Sequence, residues 1–506
     1  MVFDRLAILG LSSHGDQPFV EELSDGRQFV YMCNGEIYNH RELAEQYGFT
    51  MTTGSDCEII GKMFAQTEDF GGVVRLLDGE FSIVGVITKH DVVLETIVAR
   101  DPFGVRPLFY TKNQSGVVFS STVAGCPPGS QQFPPGEYWR IIKRMTDIIG
   151  WKYYIMNKYF YPVTTDIGQL QTRIVQSLVK AVRKRLQSER PLGCLLSGGL
   201  DSSLVVSIAA RILGGENIQT FSVGMPGSSD LAHARKVAEA LHTRHTEVTF
   251  TPEEGIAAIP EVIRATETYD ITTIRASVGQ FLLAKYISEK TDVKVLLNGD
   301  GADEAQMGYL YFYGSPTHES SYNESLRLLR DIHYFDGLRV DRTLGWYGLE
   351  ARVPFLDPEF IEACMTVPPE LRVPTQTRME KYFIRNAFKT LFPDCLPEDV
   401  LWRKKEAFSD GVSQQSKSWY QVIQDALAET PIVQVPGIQP HTPESSYYRS
   451  VFDTLFPGQH AIIPYYWMPK WSSTTDPSAR TLTTTQQPSC SGTNRTWSPS
   501  LPSPSV

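Results

Sequence analysis

The sequence has no CxxC pair, no cluster of cysteine with histidine and no apolar run long enough to span a bilayer. Its seven cysteines are scattered: Cys33, Cys57, Cys126, Cys194, Cys364, Cys395 and Cys490. An odd and dispersed set argues against a disulfide framework and against a zinc site. Basic charge is also short, with 47 Lys and Arg against 57 Asp and Glu and a net charge of −10. A nucleic-acid or anionic-membrane binder would carry a basic patch, so neither partner is expected. The Gly-Lys-Ser/Thr ending of a Walker loop is missing as well. The opening Met1-Val-Phe-Asp4-Arg5 carries an early acid, a short apolar stretch and no clear cleavage site, so it does not read as a secretory signal. The glycosylation-like triplets at Asn113, Asn323 and Asn494 then read as chance, and a cytoplasmic protein is expected.

What is present is ordinary globular composition, 42% hydrophobic and 21% charged, over 506 residues. That length is too great for one core, so at least two domains are expected. Up to about residue 145, short apolar runs such as Phe29–Cys33, Phe81–Ile87, Val92–Val98 and Gly116–Ser120 read as strands. They are punctuated by turn signals at Asn34-Gly35, Asp78-Gly79 and Pro127-Pro-Gly129. The pattern then changes. Leu170, Ile174, Leu178, Val182 and Leu186 fall at helical spacing, and the run Leu192–Leu196 reads as a strand buried on both faces. A helix over Leu200–Leu213, a strand over Ile218–Val223, a helix over Asp230–Leu241 and a third apolar run over Val293–Leu297 follow. Alternating strands and helices predict an α/β domain with a parallel sheet. Residues 320 to 470 read as mostly helical, and the Ser/Thr/Pro-rich end reads as a disordered tail.

Two loops carry the chemistry. Ser197-Gly198-Gly199-Leu200-Asp201-Ser202-Ser203 lies between a predicted strand and a predicted helix. Its glycines let the backbone approach an anion, and the free N–H groups and dipole of the helix start favour phosphate. A carboxylate at Asp201, beside phosphate, makes sense as a ligand of Mg²⁺. Asn298-Gly299-Asp300-Gly301-Ala302-Asp303-Glu304 follows another predicted strand. Three carboxylates in five residues call for a cation or a basic partner.

With these loops in view the chain resembles the glutamine-dependent asparagine synthetase family, up to about residue 482. The resemblance extends through Asn34-Gly-Glu-Ile-Tyr-Asn-His40, Arg100-Asp-Pro-Phe-Gly-Val-Arg-Pro107 and Glu267-Thr-Tyr-Asp-Ile-Thr-Thr-Ile-Arg-Ala-Ser277. It continues through Glu350-Ala-Arg-Val-Pro-Phe-Leu-Asp357, Lys405-Glu-Ala-Phe-Ser-Asp-Gly-Val412 and Tyr466-Trp-Met-Pro-Lys-Trp471, the last similar to animal-type members. The resemblance implies an α/β protein. Its N-terminal part would be an Ntn-type αββα glutaminase domain, and its C-terminal part a parallel-sheet ATP pyrophosphatase domain with the PP-loop. The expected bounds are 1–145 for the first, 146–165 for a linker, 166–477 for the second and 478–506 for the tail.

The family makes asparagine from aspartate through β-aspartyl-AMP, with ammonia drawn from glutamine. Carried over residue by residue, Leu195, Leu196 and Val223 would line the adenine and ribose site, and Ser197, Gly198, Gly199, Asp201 and Ser202 would hold pyrophosphate. Asn298 and Gly299 stand where the family has Ser-Gly in the nucleotide site. Asp201 and Asp303 would bind Mg²⁺, Lys405 would neutralise the transferring phosphate, and Asp336 and Arg339 would line the aspartate pocket. Arg5, Asn34, Gly35, Glu36 and Asp56 match the glutamine-binding positions. The implied partners are small molecules, namely aspartate, ATP and glutamine or ammonia; a homodimer is left open.

Two departures matter. The family opens Met-Cys-Gly-Ile, and the cysteine, bearing its own α-amine, attacks the glutamine amide. This sequence opens Met1-Val2 and joins the pattern at Arg5. The expectation is a truncated glutaminase domain without its nucleophile, from a misassigned start or in a protein that takes free ammonia. The second departure is Asp300, where the family has glutamate in an adenylate-forming role. β-Lactam synthetase, a relative also without the cysteine, is disfavoured by Asp336-x-x-Arg339 and by the Glu267–Ser277 segment. A non-catalytic protein that binds glutamine or nucleotide is the reading from another class.

Overall fold

The computed structural model describes residues 1–114, 116–142, 148–156, 164–406, 411–413 and 417–478. Of the expected tail only Ser478 is among them; the rest, with Cys490, lies outside, as does most of the stretch after Lys405-Glu406 in the motif ending at Val412.

The N-terminal half is built on a six-stranded sheet. Its strands are β1 (Phe19–Glu22), β2 (Gln28–Ile37), β3 (Gly79–Lys89), β4 (Val92–Arg100), β8 (Glu137–Ile142) and β9 (Ile148–Lys152) in that spatial order. Every neighbouring pair is antiparallel. Helices α1 (His40–Tyr47), α2 (Glu58–Thr67) and α3 (Phe70–Leu76) cover one face, where Phe29, Tyr31, Phe64 and Phe70 interlock. On the other face Val98 and Trp139 meet Tyr110 and Phe119 of a three-stranded sheet made of β5 (Phe109–Asn113), β6 (Gly116–Ser120) and β7 (Gln131–Gln132). The four strands read from the sequence are all found.

Two expectations are corrected. Asn34-Gly35 is not a turn: both residues lie inside β2, with Gly35 paired to Phe81. Gly35 has φ of +142°, and a Cβ there would fall 1.9 Å from the Glu80 carbonyl oxygen. The glycine serves close strand approach, not reversal. Residues 148–152 fall within the expected linker, yet they pair with β8 and extend the N-terminal sheet.

The C-terminal half holds a five-stranded sheet of β10 (Leu192–Leu195), β11 (Gln219–Gly224), β12 (Arg244–Thr249), β13 (Val295–Leu297) and β14 (Glu350–Arg352), in the order β12-β11-β10-β13-β14. All its pairings are parallel. Helices α4 (Ile167–Lys184), α5 (Leu200–Leu213) and α6 (Ser229–Leu241) lie close to the predicted spans. So do β10, β11 and β13, as expected of apolar runs buried on both faces, whereas β12 was not read from the sequence. The span read as mostly helical contains β14, whose Glu350 and Arg352 are charged yet buried.

The order reverses between β10 and β13, and in open parallel sheets ligands bind outside the strand ends at such a point. Both loops singled out above emerge there. The two halves meet through buried ion pairs. Arg185 bridges Glu80 at 2.8 Å and Asp357 at 2.7 Å, and Arg352 bridges Glu350 at 2.7 Å and Glu36 at 3.3 Å. Glu267 accepts from the backbone N–H groups of Val123 and Ala124 at 2.7 and 3.1 Å, and so joins the halves as well. Pairs of this kind cost desolvation to form, but losing one partner strands a buried charge at a cost of about 3–5 kcal/mol.

Candidate functional site

The loop after β10 turns sharply at Gly198, with φ of +70°. A Cβ there would lie 2.4 Å from the Ala234 nitrogen on α6, so only glycine fits the turn against that helix. Ser197 and Ser202 hydroxyls lie 3.0 Å apart and tie the two ends of the loop together. Gly199 stands as N-cap of helix α5 and offers no side-chain cap, which leaves the helix's first N–H groups for an anion. The loop after β13 is held by the Asp300 N–H donating to Asn298 Oδ1 at 2.7 Å.

One cleft collects Leu195, Leu196, Ser197, Gly199, Asp201, Ser202, Val223, Asn298, Gly299, Asp300, Asp303, Asp336, Arg339 and Lys405. Of the residues assigned to the nucleotide and aspartate sites, Gly198 alone does not line it, because its place is against α6. The apolar end is made by Leu195, Leu196, Phe221, Val223 and Leu283. The polar end is a run of alternating charge. Lys381 Nζ sits 2.5 Å from both Asp201 Oδ2 and Asp303 Oδ1, and Lys405 Nζ sits 2.5 Å from Asp303 Oδ2. Burial works against the charge on Asp303, but the two ammonium groups outweigh it and hold the carboxyl below the ordinary range. Lys405 is raised in turn, against burial, by Asp303 and Asp201.

Beside this run, Arg339 Nη2 pairs with Asp300 Oδ1 at 2.7 Å and with Asp336 Oδ1 at 3.4 Å. Burial pushes Asp300 up to about 6, with Arg339 opposing and Asp336 adding. The Tyr309 hydroxyl donates to Glu304 at 2.6 Å and to Asp336 at 3.2 Å. Burial raises Glu304 to about 8, reinforced by Asp336 and Asp303.

Among the described residues, several buried polar atoms in this cleft lack a hydrogen-bond partner: Gln280 Nε2, Asp300 Oδ2 and Arg339 Nε. Orphaned donors and acceptors gathered in one place mark a site completed by a ligand. The donor set fits a divalent cation with phosphate. Lys381 already places a positive centre between Asp201 and Asp303, and Mg²⁺ takes one or two carboxylates with the substrate's phosphates.

Lys381 was not visible in the sequence. It stands 78 positions past Asp303 in a helical stretch without a motif, and only the tertiary fold brings it to the carboxylates. Tyr309 and Glu304 were likewise unassigned. The Glu267–Ser277 motif supplies structure instead. Glu267 holds the 123–124 backbone, Asp270 caps α8 (Ile271–Lys290) and accepts from Trp467 N–H at 2.8 Å, and Arg275 clamps Glu444 and Asp476.

A second cavity gathers Arg5, Asn34, Gly35, Glu36 and Asp56 with Cys33 and Cys57. Asp56 Oδ2 accepts from Ile37 N–H at 2.6 Å. The Arg5 guanidinium is spent on local carbonyls, donating to Leu9 and Gly10 at 2.8 and 2.5 Å and to Ser12 at 3.0 Å. Glu36 faces Arg352, and burial raises its carboxyl well above the usual range. Helix α11 (Asp336–Gly345) links the two cavities, with Asp336 and Arg339 lining the cleft and Asp341 and Arg342 lining the second cavity. No described helix is long and apolar enough to cross a membrane.

The family model described as asparagine synthase matches residues 173–333 and 315–482, and that described as glutamine amidotransferase domain matches residues 3–125. The chain is 40% identical to an asparagine synthetase [glutamine-hydrolyzing] of Gallus gallus over 521 aligned residues, covering 95% of this chain and 90% of that protein. It is 41% identical to a probable asparagine synthetase [glutamine-hydrolyzing] of Acanthamoeba polyphaga mimivirus, with the same coverage. Against the Homo sapiens asparagine synthetase [glutamine-hydrolyzing] the identity is 39%, over 90% of this chain and 86% of that protein.

Proposed function

The chain belongs to the glutamine-hydrolysing asparagine synthetase family, and on that premise we propose that it makes asparagine by transferring AMP from ATP to the side-chain carboxylate of aspartate. The observation that carries the reading is the alternating run Asp201–Lys381–Asp303–Lys405 at the ends of adjacent parallel strands, beside an uncapped helix start. ATP lies with its base against Leu195, Leu196 and Val223 and its phosphates at the Ser197–Ser202 loop. Asp201 and Asp303 are the residues that would hold Mg²⁺, which when bound draws charge from the phosphate oxygens.

Lys405 and Lys381 neutralise the charge that builds as the aspartate oxygen attacks the α-phosphorus and pyrophosphate leaves. Arg339, braced by Asp300 and Asp336, orients the substrate carboxylate. Ammonia then attacks the mixed anhydride, and AMP departs. Asp300 assists the adenylation step from a position one methylene short of the family's glutamate.

The amide nitrogen reaches the adenylate as ammonia. Glutamine supplies it when a nucleophile works at the second cavity, where Arg5, Asn34, Gly35, Glu36 and Asp56 form the carboxamide pocket. Cys33 and Cys57, the thiols lining that cavity, lie inside the chain, so neither carries the free α-amine on which the family's nucleophile relies. A second reading, a protein that binds nucleotide or glutamine without turnover, is favoured by Asp300 alone.

Pyrophosphate release and asparagine formation, measured with aspartate and MgATP plus either ammonium or glutamine, separate these readings. Product with ammonium only supports the ammonia-dependent synthetase, and product with both supports a working glutaminase. No product under either condition leaves the binding protein. Asp201→Ala should weaken nucleotide binding and abolish product; unchanged affinity and output would remove the assignment.

A further inference from the structure

The two lysines that flank Asp303 come from separate segments, and a third residue holds those segments together. Glu380 is 1% exposed. Its Oε1 accepts from the Lys405 backbone N–H at 2.8 Å and from Arg385 Nη2 at 3.2 Å, and the Tyr313 phenol also hydrogen-bonds it. Arg385 completes the tie, with Nε donating to the Glu380 carbonyl at 3.0 Å and Nη1 to the Leu401 carbonyl at 2.5 Å. The 401–405 stretch is therefore fastened to the 380–385 stretch at Leu401 and at Lys405.

The next residue, Lys381, takes the left-handed backbone conformation at φ of +59°. A non-glycine residue stays there only when its surroundings over-determine it. Here the Glu380 side chain on one side and the helix beginning at Tyr382 on the other fix the backbone, which sends the Lys381 stem toward Asp201 and Asp303. Gly308 opposite leaves the room: a Cβ there would fall 2.1 Å from both Lys381 Cε and Asp303 Oδ1. One buried carboxylate thus sets the backbone of Lys405 and, through its chain neighbour, that of Lys381.

We propose that Glu380 is the positioning residue of the phosphate clamp, locking Lys381 and Lys405 into one unit so that both ammonium groups meet the leaving pyrophosphate together. This rests on the adenylating function above. Glu380 does not touch substrate; it acts through the two lysines. An interaction realised as charge moves onto the leaving group is read in kcat, whereas uniform substrate binding is read in KM.

The test is steady-state pyrophosphate release from the full chain with aspartate, ammonium and MgATP, with thermal melting run in parallel. Glu380→Ala should lower kcat about 100-fold, the loss expected for a displacement near 1 Å, and change KM for ATP less than about 3-fold. Glu380→Gln keeps an acceptor oxygen for the Lys405 N–H and should stay within about 3-fold of wild type on both constants. Glu380→Asp keeps the charge but retracts the oxygen; it should lose at least about 10-fold in kcat and carries the test if the alanine variant does not fold. A folded Glu380→Asp or Glu380→Ala with wild-type kcat would overturn the proposal. So would a glutamine variant as impaired as alanine, since the charge toward Arg385 and not the hold on Lys405 would then matter. A wild-type chain that releases no pyrophosphate would fail at the level of the function itself, and the inference would fall with it.

Discussion

Replacing Asp300 with glutamate should make the protein faster. Asp300 Oδ1 is drawn onto Arg339 at 2.7 Å, and Oδ2 is buried with no hydrogen-bond partner. The carboxylate is therefore committed on one side and idle on the other. One added methylene carries the group roughly 1.5 Å further along the side chain, which under the proposed function is the reach of the family's glutamate. A displacement near 1 Å costs about 100-fold in rate, equal to about 2.7 kcal/mol of barrier. Restoring the reach should recover between about 10-fold and 100-fold in kcat with KM for ATP little changed. The group borders the cleft and not a closed core, so the extra volume should cost less than the about 1–3 kcal/mol of overpacking. Initial rates of pyrophosphate release with ammonium, wild type beside Asp300→Glu, read the effect directly. A folded glutamate variant with equal or slower turnover would show that Asp300 already stands where the chemistry needs it.

Two further outcomes follow from other contacts. Asp300 is raised to about 6 in the folded protein, chiefly by burial, while a free aspartate titrates near about 3.9. The folded state therefore holds that proton more tightly. The stability this group contributes is complete below the lower value and fades as pH rises through the higher one. Turnover runs the other way, because the charged form pairs with Arg339, so kcat/KM for pyrophosphate release, which reads the free enzyme, should climb through about pH 6; a flat profile there would exclude Asp300 as the responsible group. Glu267→Ala leaves the Val123 and Ala124 N–H groups and Arg342 without their buried acceptor. It should cost about 3 kcal/mol, seen as a lower melting temperature with nucleotide affinity unchanged; an unaltered melt would mean the interface does not need it.

Local signals were legible where chemistry and backbone coincide. The glycine–serine loop at Ser197 and the acidic loop at Asp300 announce themselves because a phosphate-binding turn must be contiguous, and both stand at strand ends as expected. The apolar runs at Leu192 and Val295 were readable because strands buried on both faces carry no alternation. The rest is tertiary. Glu350–Arg352 is a three-residue strand with charged ends, and its Arg352 is buried between Glu350 of the same strand and Glu36 across the domain boundary. Gly35 looked like a turn because glycine answers both to reversal and to close approach, and the sequence does not say which. Lys381 and Glu380 are ordinary charged residues until the fold sets them beside carboxylates and N–H groups far away in the chain.

Helix α11 spans Asp336 to Gly345, ten residues, and at a rise of 1.5 Å each it is about 15 Å long. A body that short and internally hydrogen-bonded moves as one piece. Arg339, which borders the nucleotide-side cleft, and Arg342, which borders the other chamber, are a single turn apart on it. One short, internally bonded element therefore forms part of the wall of both chambers, and its place in the fold sets the spacing between them.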